Sequence, residues 1–490
     1  MLYDPNNYFK ANPLMRLPVL SDADVAALHD ATVRVLEDTG IRVESEEAAK
    51  LLASGGAAVT YDEQGAIAKI PEKLLSACIA SAPKDAVFHG RPGGRDFHAG
   101  EGCTGFSPFG ECVKILDPGT GEARDTTKED LGRITRIADY FPEIAVVERA
   151  CGSLDKPASV QALHNLEVMV LNTGKPIFIG AMNGVNAGLM IEMARAVCGG
   201  DEALRARPFL NFFICPVSPL ALGRDCCDIA MEAGRAGVGV ATIPMPLAGA
   251  TAPVTLAGTV VDHNCEALSS LVLHQLAGKG APFFYCSMST IMDLRHMIAS
   301  TGAPEHPLMG AATVRMAAYY GLPSWIGAGI SDSKLPDAQT GYEFGIGTLL
   351  GALAGVNVIY GAGALESGLL TDYAKLVMDC EALTFVRRVL DGLRVDEEEI
   401  ALELIQSKGP LTDFLREKHT FRHMREQVPV TVFDRQSRDT WLADGGRRAE
   451  EKAYARAQEI LQEHEAPPVP EAAREAMARI IAGRERALGL

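Results

Sequence analysis

The chain has 490 residues, 47% of them hydrophobic: too many for one small domain, and enough apolar material for a large core. Lys and Arg number 46 against 63 Asp and Glu, a net charge of −17. That argues against the basic surface that nucleic acid requires and suits a cationic substrate. Eleven cysteines are scattered without a CxxC, only Cys226-Cys227 being adjacent, which fits thiols in a reducing compartment. Met1–Leu20 lacks the basic start and apolar run of a signal peptide, and no stretch approaches about 18 uninterrupted apolar residues. A cytoplasmic protein without membrane or nucleic-acid partners is expected.

In chain order, residues 1–100 form a mixed, mainly helical introduction. Ser21 precedes an apolar pattern of helical period with Asp22 and Asp24 in its first turn and Gly40 after its end. Further helices are expected around Ser45–Ser54 and after Pro71. From residue 101 to 395 short apolar runs alternate with helical patterns. The runs are Gly102–Pro108, Ala145–Cys151, Pro176–Ala181, Pro208–Cys215, Gly237–Met245, Ala281–Met288, Pro323–Gly329 and Val356–Gly361. Eight such strand–helix units favour a closed (β/α)8 (TIM) barrel of the α/β class over an open sheet. Residues 396–490 read as a charged helical extension, with Arg447–His464 an exposed helix and Glu471–Ala482 another.

Barrel enzymes place their sites at strand C-termini. After the seventh run, GAGISDSKLPDAQTGYEFG supplies Asp332, Lys334, Gln339, Tyr342 and Glu343. Gln339 and Glu343 share a helix face. Asp332 and Gln339 are site candidates; the competing reading is that Asp332 and Asp337 cap the helix and Glu343 is solvated. After the eighth run, GAGALESG offers glycines such as Gly363 for close approach to a ligand, and Glu366 as a candidate anion. Its spacing is not the GxGxxG of dinucleotide sites; a phosphate site or room for substrate are the open readings. Glu148, in VVERAC, either pairs with Arg149 or points into the barrel mouth. Phe106, Phe213 and Tyr285 lie near other strand ends and are either core or faces for a cation. His419 and His423 are spaced i, i+4, but HTFRH lacks the Glu of HExxH and shows no nearby third ligand, so no metal is assigned. There is no GxSxG.

The sequence resembles the trimethylamine methyltransferase family of corrinoid-dependent enzymes. The resemblance covers most of the chain, through ATVRVLEDTGIRVES, LDPGTGEARDTTKEDLGRITRIADYFPEI, SDSKLPDAQTGYE, GAGALESG with MDCEAL, and HTFRHMREQVPVTVFDR. It implies a (β/α)8 barrel whose mouth receives a corrinoid protein, with no cofactor held tightly by this chain. Founding members of the family carry pyrrolysine after the seventh strand. Here ordinary residues fill that loop, the corresponding position being about Ile330, so the chain resembles the branch without pyrrolysine, whose relatives demethylate quaternary amines such as glycine betaine.

Leaving-group chemistry favours that branch. A neutral tertiary amine would have to expel an amide-like anion, whereas a quaternary ammonium departs as a neutral amine without a general acid. The expected donor is a quaternary amine, glycine betaine favoured. The aromatics with Glu148 or Glu366 would hold the cation, and Asp332, Gln339 and Tyr342 would orient the substrate or the loop. Lys334, Arg149 and Gln339 are candidates for a substrate carboxylate. Two alternatives stay open: a lyase or aldolase using Lys334 as a Schiff base, and a non-catalytic betaine-binding protein. A homo-oligomer is expected from the habits of soluble enzymes.

Overall fold

Helices begin at their caps. In the computed structural model, which describes residues 12–84, 86–100 and 102–490, Ser21 and Asp24 form a reciprocal capping box that opens helix Asp22–Arg34. Residues 1–11, part of the stretch read for a signal peptide, lie outside the described residues. Ser45 caps Glu46–Gly55, and a third helix spans Glu72–Ser81. To these helices the fold adds a sheet that the sequence did not reveal: Ile41–Val43, Gly65–Lys69 and Ala58–Asp62 pair antiparallel. The buried positions of Gly65–Lys69 are Ala66 and Ala68, which carry little strand signal. This sheet is joined to the barrel by parallel pairing of Arg42 with Ala221.

The barrel strands are β1 (Gly105–Pro108), β2 (Val147–Glu148), β3 (Ile177–Gly180), β4 (Leu210–Ile214), β5 (Gly239–Thr242), β6 (Phe283–Ser287), β7 (Ser324–Gly327) and β8 (Val358–Ala362). Each is followed by its helix: α1 (Lys128–Tyr140), α2 (Gln161–Asn172), α3 (Gly184–Cys198), α4 (Arg224–Ala236), α5 (Leu256–Ala277), α6 (Glu305–Tyr320), α7 (Ala338–Ala354) and α8 (Tyr373–Leu390). All neighbouring strands pair parallel, in the order β1-β8-β7-β6-β5-β4-β3-β2. The ring closes where Phe106 bridges Ile144 and the Ala145 N–H donates to the Phe106 carbonyl at 2.9 Å. All eight strands fall within the apolar runs expected from the sequence or extend one by a residue.

Register fixes which side chains face the axis, because partners across parallel strands point the same way. Glu148 is opposite Phe178, Cys286 opposite Trp325, and Tyr360 opposite both Gly327 and Ser107. These face inward. Ile326 and Ile359 face outward, since a Cβ on Gly310 of α6 or Gly351 of α7 would touch them. The strands' N-terminal end is plugged by a hairpin, Ala86–Phe88 with Phe97–Ala99. Its Phe88 packs on Phe178, Phe284 and Trp325.

The C-terminal segment is bound back onto the barrel. Helix Ala449–Glu463 is more than the exposed helix its charge suggested: Ala453, Ala457 and Ile460 form a buried stripe. The final helix runs Glu471–Leu488. Glu381 of α8 accepts backbone N–H bonds from Thr431, Val432 and Phe433, each at 2.9 Å. By contrast, the short helices Glu397–Ile400, Leu402–Lys408 and Lys418–His423 bury no residue. Among the described residues no helix is long and apolar enough to cross a membrane.

Truncating Glu381 to alanine leaves three N–H donors without their acceptor, that of Val432 at a buried position, and should loosen residues 428–435 by about 2–3 kcal/mol. Hydrogen exchange of that segment is expected to rise in Glu381→Ala while the barrel strands keep their protection; unchanged exchange would refute the anchor.

Candidate active site

The barrel interior above the plug is walled by aromatic rings. Trp325 packs on Phe178 with centroids 4.5 Å apart and edge-on to Phe213 at 5.5 Å. Tyr360 lies near Trp325 and stacks on Phe109 from the loop after β1. Glu148 stands in this wall. Its backbone N–H donates to Ser107 Oγ at 3.1 Å, and a Cβ on Gly110 would stand 2.1 Å from its Oε1, so only glycine fits over it. Among the described residues, the buried Glu148 Oε2, Tyr360 OH, Trp325 Nε1 and His306 Nε2 have no hydrogen-bond partner here. Buried groups of this kind are rare in native proteins and call for an explanation. Burial, reinforced by the charge of Glu111, pushes the Glu148 carboxyl well above the carboxylate range; Arg149 and the Gly110 N–H offset this only in part. Burial, then the nearness of Glu148, likewise raises the Tyr360 phenol. Gly327 lets two polar side chains pack close to the strand: a Cβ there would lie 3.1 Å from Tyr360 OH and 3.2 Å from His306 Nε2. His306 is fixed by its Nδ1–H donating to the Ser289 carbonyl at 2.8 Å, and burial holds its pKa below the ordinary value.

Of the two readings of Glu148, the geometry gives the inward one; Arg149 pairs instead with Glu111, at 2.7 Å. Arg149 is nearly buried, with a side chain 10% exposed, whereas Glu111 is 60% exposed and sits at φ 82°, a left-handed conformation that a glutamate adopts under strain. The pair borders a cavity of about 340 Å³ at the C-terminal ends of β2, β3 and β4, lined also by Gln161, Gly180, Phe213 and Cys215. A hollow of about 440 Å³ at the opposite end, around Pro83, Lys279 and Pro323, is at the N-terminal face, where barrels do not place their chemistry.

The loops after β7 and β8 are tied into one latch. The Asp332 carboxylate accepts from Thr301 N–H (3.0 Å), Thr301 Oγ1 (3.3 Å), Ser367 Oγ (2.5 Å) and Ser300 Oγ. Burial works to raise its pKa, but these donors together hold it below the ordinary value. Glu343 is not solvated: its Oε2 accepts from Ser331 Oγ (2.6 Å) and Asp332 N–H (2.9 Å), and Gln339 donates to its Oε1 (2.8 Å). Glu366 and Ser367 both adopt positive φ, and their N–H groups donate to Ser333 and Ser331. Asp337, not Asp332, caps α7, accepting from Thr340 N–H. Ile330 is buried at the foot of this latch. The Gly363 N–H, which a phosphate would need, is taken by Asp379 at 2.8 Å.

The structure therefore brings Glu148 and Phe213 together in the mouth and gathers Asp332, Glu343 and Glu366 in the latch, with Gln339 exposed on its outer face. Tyr342, 72% exposed, and Lys334 stand outside it in solvent. Lys334 donates to the Asp332 carbonyl at 2.7 Å, the reverse of the apolar pocket a Schiff-base lysine needs, which removes the aldolase reading built on it. Two expected cation faces are corrected. Phe106 pairs in register with outward-facing Ile359, and Tyr285 points at α5, its hydroxyl donating to Asn264 Oδ1 at 2.7 Å. Both lie between strand and helix layers, because the strand period places alternate residues outside. The sequence reading missed Trp325, Tyr360 and His306; period-two alternation within SWIG and VIYGA carried the signal for the first two.

Comparison with known proteins matches residues 5–489 to the family described as Trimethylamine methyltransferase (MTTB). The chain belongs to this family. It is 41% identical to trimethylamine methyltransferase MttB of Desulfitobacterium hafniense (strain DCB-2) over 92% of this chain and 90% of that one. It is 32% identical to MttB of Methanosarcina thermophila over 94% and 96%. A glycine betaine methyltransferase of Desulfitobacterium hafniense (strain Y51) is 30% identical over 93% and 94%. Membership makes the chain a methyltransferase of the methylamine and quaternary-amine class, and the barrel mouth is the face on which its chemistry is to be sought.

A carboxyl whose folded pKa is raised favours the folded state below its unfolded value of 4.5, and that contribution is lost as pH rises through the folded value. Glu148→Gln should therefore gain stability relative to the parent as pH increases from about 5 to 8, by up to about 1.4 kcal/mol per pH unit. Chemical denaturation at several pH values measures this; a pH-independent difference would show that Glu148 is ionised in the folded protein.

Proposed function

We propose that this enzyme transfers a methyl group from a quaternary amine, glycine betaine favoured, to Co(I) of a cognate corrinoid protein in the cytoplasm. The observation that carries the reading is the Glu148 carboxyl, buried with one oxygen unpartnered on the same inward barrel face that carries Trp325, Tyr360 and Phe213. Aromatic faces with a carboxylate are how proteins hold quaternary ammonium groups. An arriving cation would favour the ionised carboxyl, so binding should release a proton. Tyr360 and Trp325 would wall the cation, and Phe213 would close its flank. Arg149 supports a donor that also bears a carboxylate, since a substrate carboxylate can replace that of Glu111 on the guanidinium. Asp332, Gln339, Glu343 and Glu366 keep the loops in place and position substrate through them, while Tyr342 and Lys334 belong to the rim.

The corrinoid supplies the nucleophilic Co(I) that attacks the methyl carbon; the C–N bond breaks with its electron pair left on nitrogen, and a neutral tertiary amine departs. The residues of this chain hold the cation, aim one methyl outward and exclude water. Positioning of this kind contributes several kcal/mol, with an upper range of about 7–11. Large apolar side chains stand exposed in the loops after all eight strands: Val113, Leu154, Met182, Val217, Val254, Met297, Leu335 and Leu369. A rim of that composition suits a protein partner docking over the mouth. The free thiols fit a reducing compartment, and the exposed Leu393, Leu411 and Leu415 fit a homo-oligomer.

Incubation with Co(I) corrinoid protein and a panel of amines tests the assignment. Glycine betaine should methylate cobalt, with about one proton released on binding. Glu148→Gln should lower kcat/KM by about two orders of magnitude. Arg149→Ala should raise KM for carboxylate-bearing donors and leave choline unaffected. If trimethylamine reacts and no quaternary amine does, the substrate assignment is wrong; if ligand binds and cobalt never reacts, the betaine-binding reading replaces it.

A further inference from the structure

His419 and His423 were without a third ligand in the sequence. Folding brings one from 25 residues upstream. The two rings stack on helix Lys418–His423 with centroids 4.3 Å apart, and each presents Nε2 to Glu398 of the helix Glu397–Ile400. His423 Nε2 lies 3.3 Å from Glu398 Oε1, and His419 Nε2 lies 3.2 Å from the Glu398 carbonyl oxygen. One ligand atom from each of the three residues falls within 4.8 Å of the other two.

We propose that His419, His423 and Glu398 bind a divalent transition-metal ion of the Zn2+ class and that this ion clamps the C-terminal arm. Two imidazoles and a carboxylate are a donor set that Zn2+ accepts in four-coordinate sites, with bonds of about 2.0–2.2 Å and so about 3.3–3.6 Å between ligand atoms. The His423–Glu398 separation already has that length. Glu426 lies 2.8 Å from His423 Nδ1 and accepts its hydrogen bond, which keeps a proton on Nδ1 and makes Nε2 the nitrogen that a metal would bind after displacing its proton. Arg422 now holds Glu398 Oε1 at 2.9 Å; its side chain is 61% exposed and can swing to the second oxygen or to water. A competing group, Glu399, His423 and Glu426, contains one imidazole instead of two and is the weaker Zn2+ site. The arm gives the ion its task. The helices Glu397–Ile400, Leu402–Lys408 and Lys418–His423 bury no side chain, so no apolar core fastens one to the next. Joining residues 398 and 423 through a metal closes that loop and restricts the arm, with binding energy acting as folding energy.

The test uses the full chain stripped with chelator, then given Co2+ or Zn2+ alone, and is independent of methyl transfer. Equimolar Co2+ should give the visible absorption of a tetrahedral site, displaced by one Zn2+ per chain in calorimetry. Zn2+ should slow protease cleavage around residues 409–416 about fivefold or more. His419→Ala with His423→Ala should weaken Zn2+ by at least about 100-fold, and Glu426→Gln by about tenfold. Zn2+ uptake equal in parent and double variant, or no ion retained by the parent at equimolar metal, overturns the proposal. Should the double variant fail to fold, the Co2+ spectrum of the parent, present or absent, decides the matter.

Discussion

Moving a carboxylate from water into an apolar interior costs more than the few kcal/mol by which a protein is stable, so Glu148 is tolerated only while neutral or opposite a cation. Much of the barrel mouth is arranged around that constraint. Gly110 and Gly327 allow Glu148, Tyr360 and His306 to pack against the backbone, and Ser107 holds the strand backbone in place. The rings of Trp325 and Tyr360 supply negative faces without supplying a counter-charge. Among the described residues nothing satisfies Glu148 Oε2, Tyr360 OH and Trp325 Nε1. A site left unsatisfied in this way gains most when a ligand arrives, because the folded chain has already met the cost of desolvation.

The second requirement is that the mouth keep its shape with little core of its own beyond the small cluster of Leu116, Leu365 and Leu370. The loops after β7 and β8 achieve this with hydrogen bonds. Asp332 gathers the Ser300–Thr301 segment and Ser367, and Glu343 fastens Ser331 and the Asp332 backbone. The left-handed backbone at Glu366 and Ser367 persists because both N–H groups are bonded to the neighbouring loop. Below the mouth, Phe88 and its hairpin close the other end, so rigidity comes from packing beneath and polar ties above.

The barrel was legible because its signal is global. Eight apolar runs separated by helical patterns admit few topologies, and a capping residue such as Ser21 marked a helix start. The sheet at residues 41–69 escaped because its strands are short and its middle one, Gly65–Lys69, buries only alanines. For the site, residue type was readable and direction was not. Glu148 and Phe213 point inward; Phe106 and Tyr285, equally near strand ends, point outward, because one residue of register reverses a face. Asp332 and Glu343 were visible as unusual polar residues after a strand, yet their hydrogen-bond partners come from loops 30 or more residues away or from a neighbouring turn. Glu398 was invisible as a partner of His419 and His423 for the same reason.

Relatives named for trimethylamine and for glycine betaine share this family, so overall identity does not choose the donor. Nor does the carboxyl alone: a neutral Glu148 can hand its proton to a tertiary amine as well as lose it to solvent on meeting a quaternary cation. The guanidinium beside it is a different matter. Arg149 is nearly buried, its charge is permanent, and its ion-pair partner is a strained, exposed glutamate. Trimethylamine has nothing to offer that charge. On the proposed reading, a betaine would bring a carboxylate able to take the place of Glu111 while its ammonium took the place of the proton on Glu148. Each buried charge would then keep an opposite, and the left-handed strain at Glu111 would be free to relax. Within that proposal it is the arginine, more than the carboxyl, that argues for a zwitterionic donor.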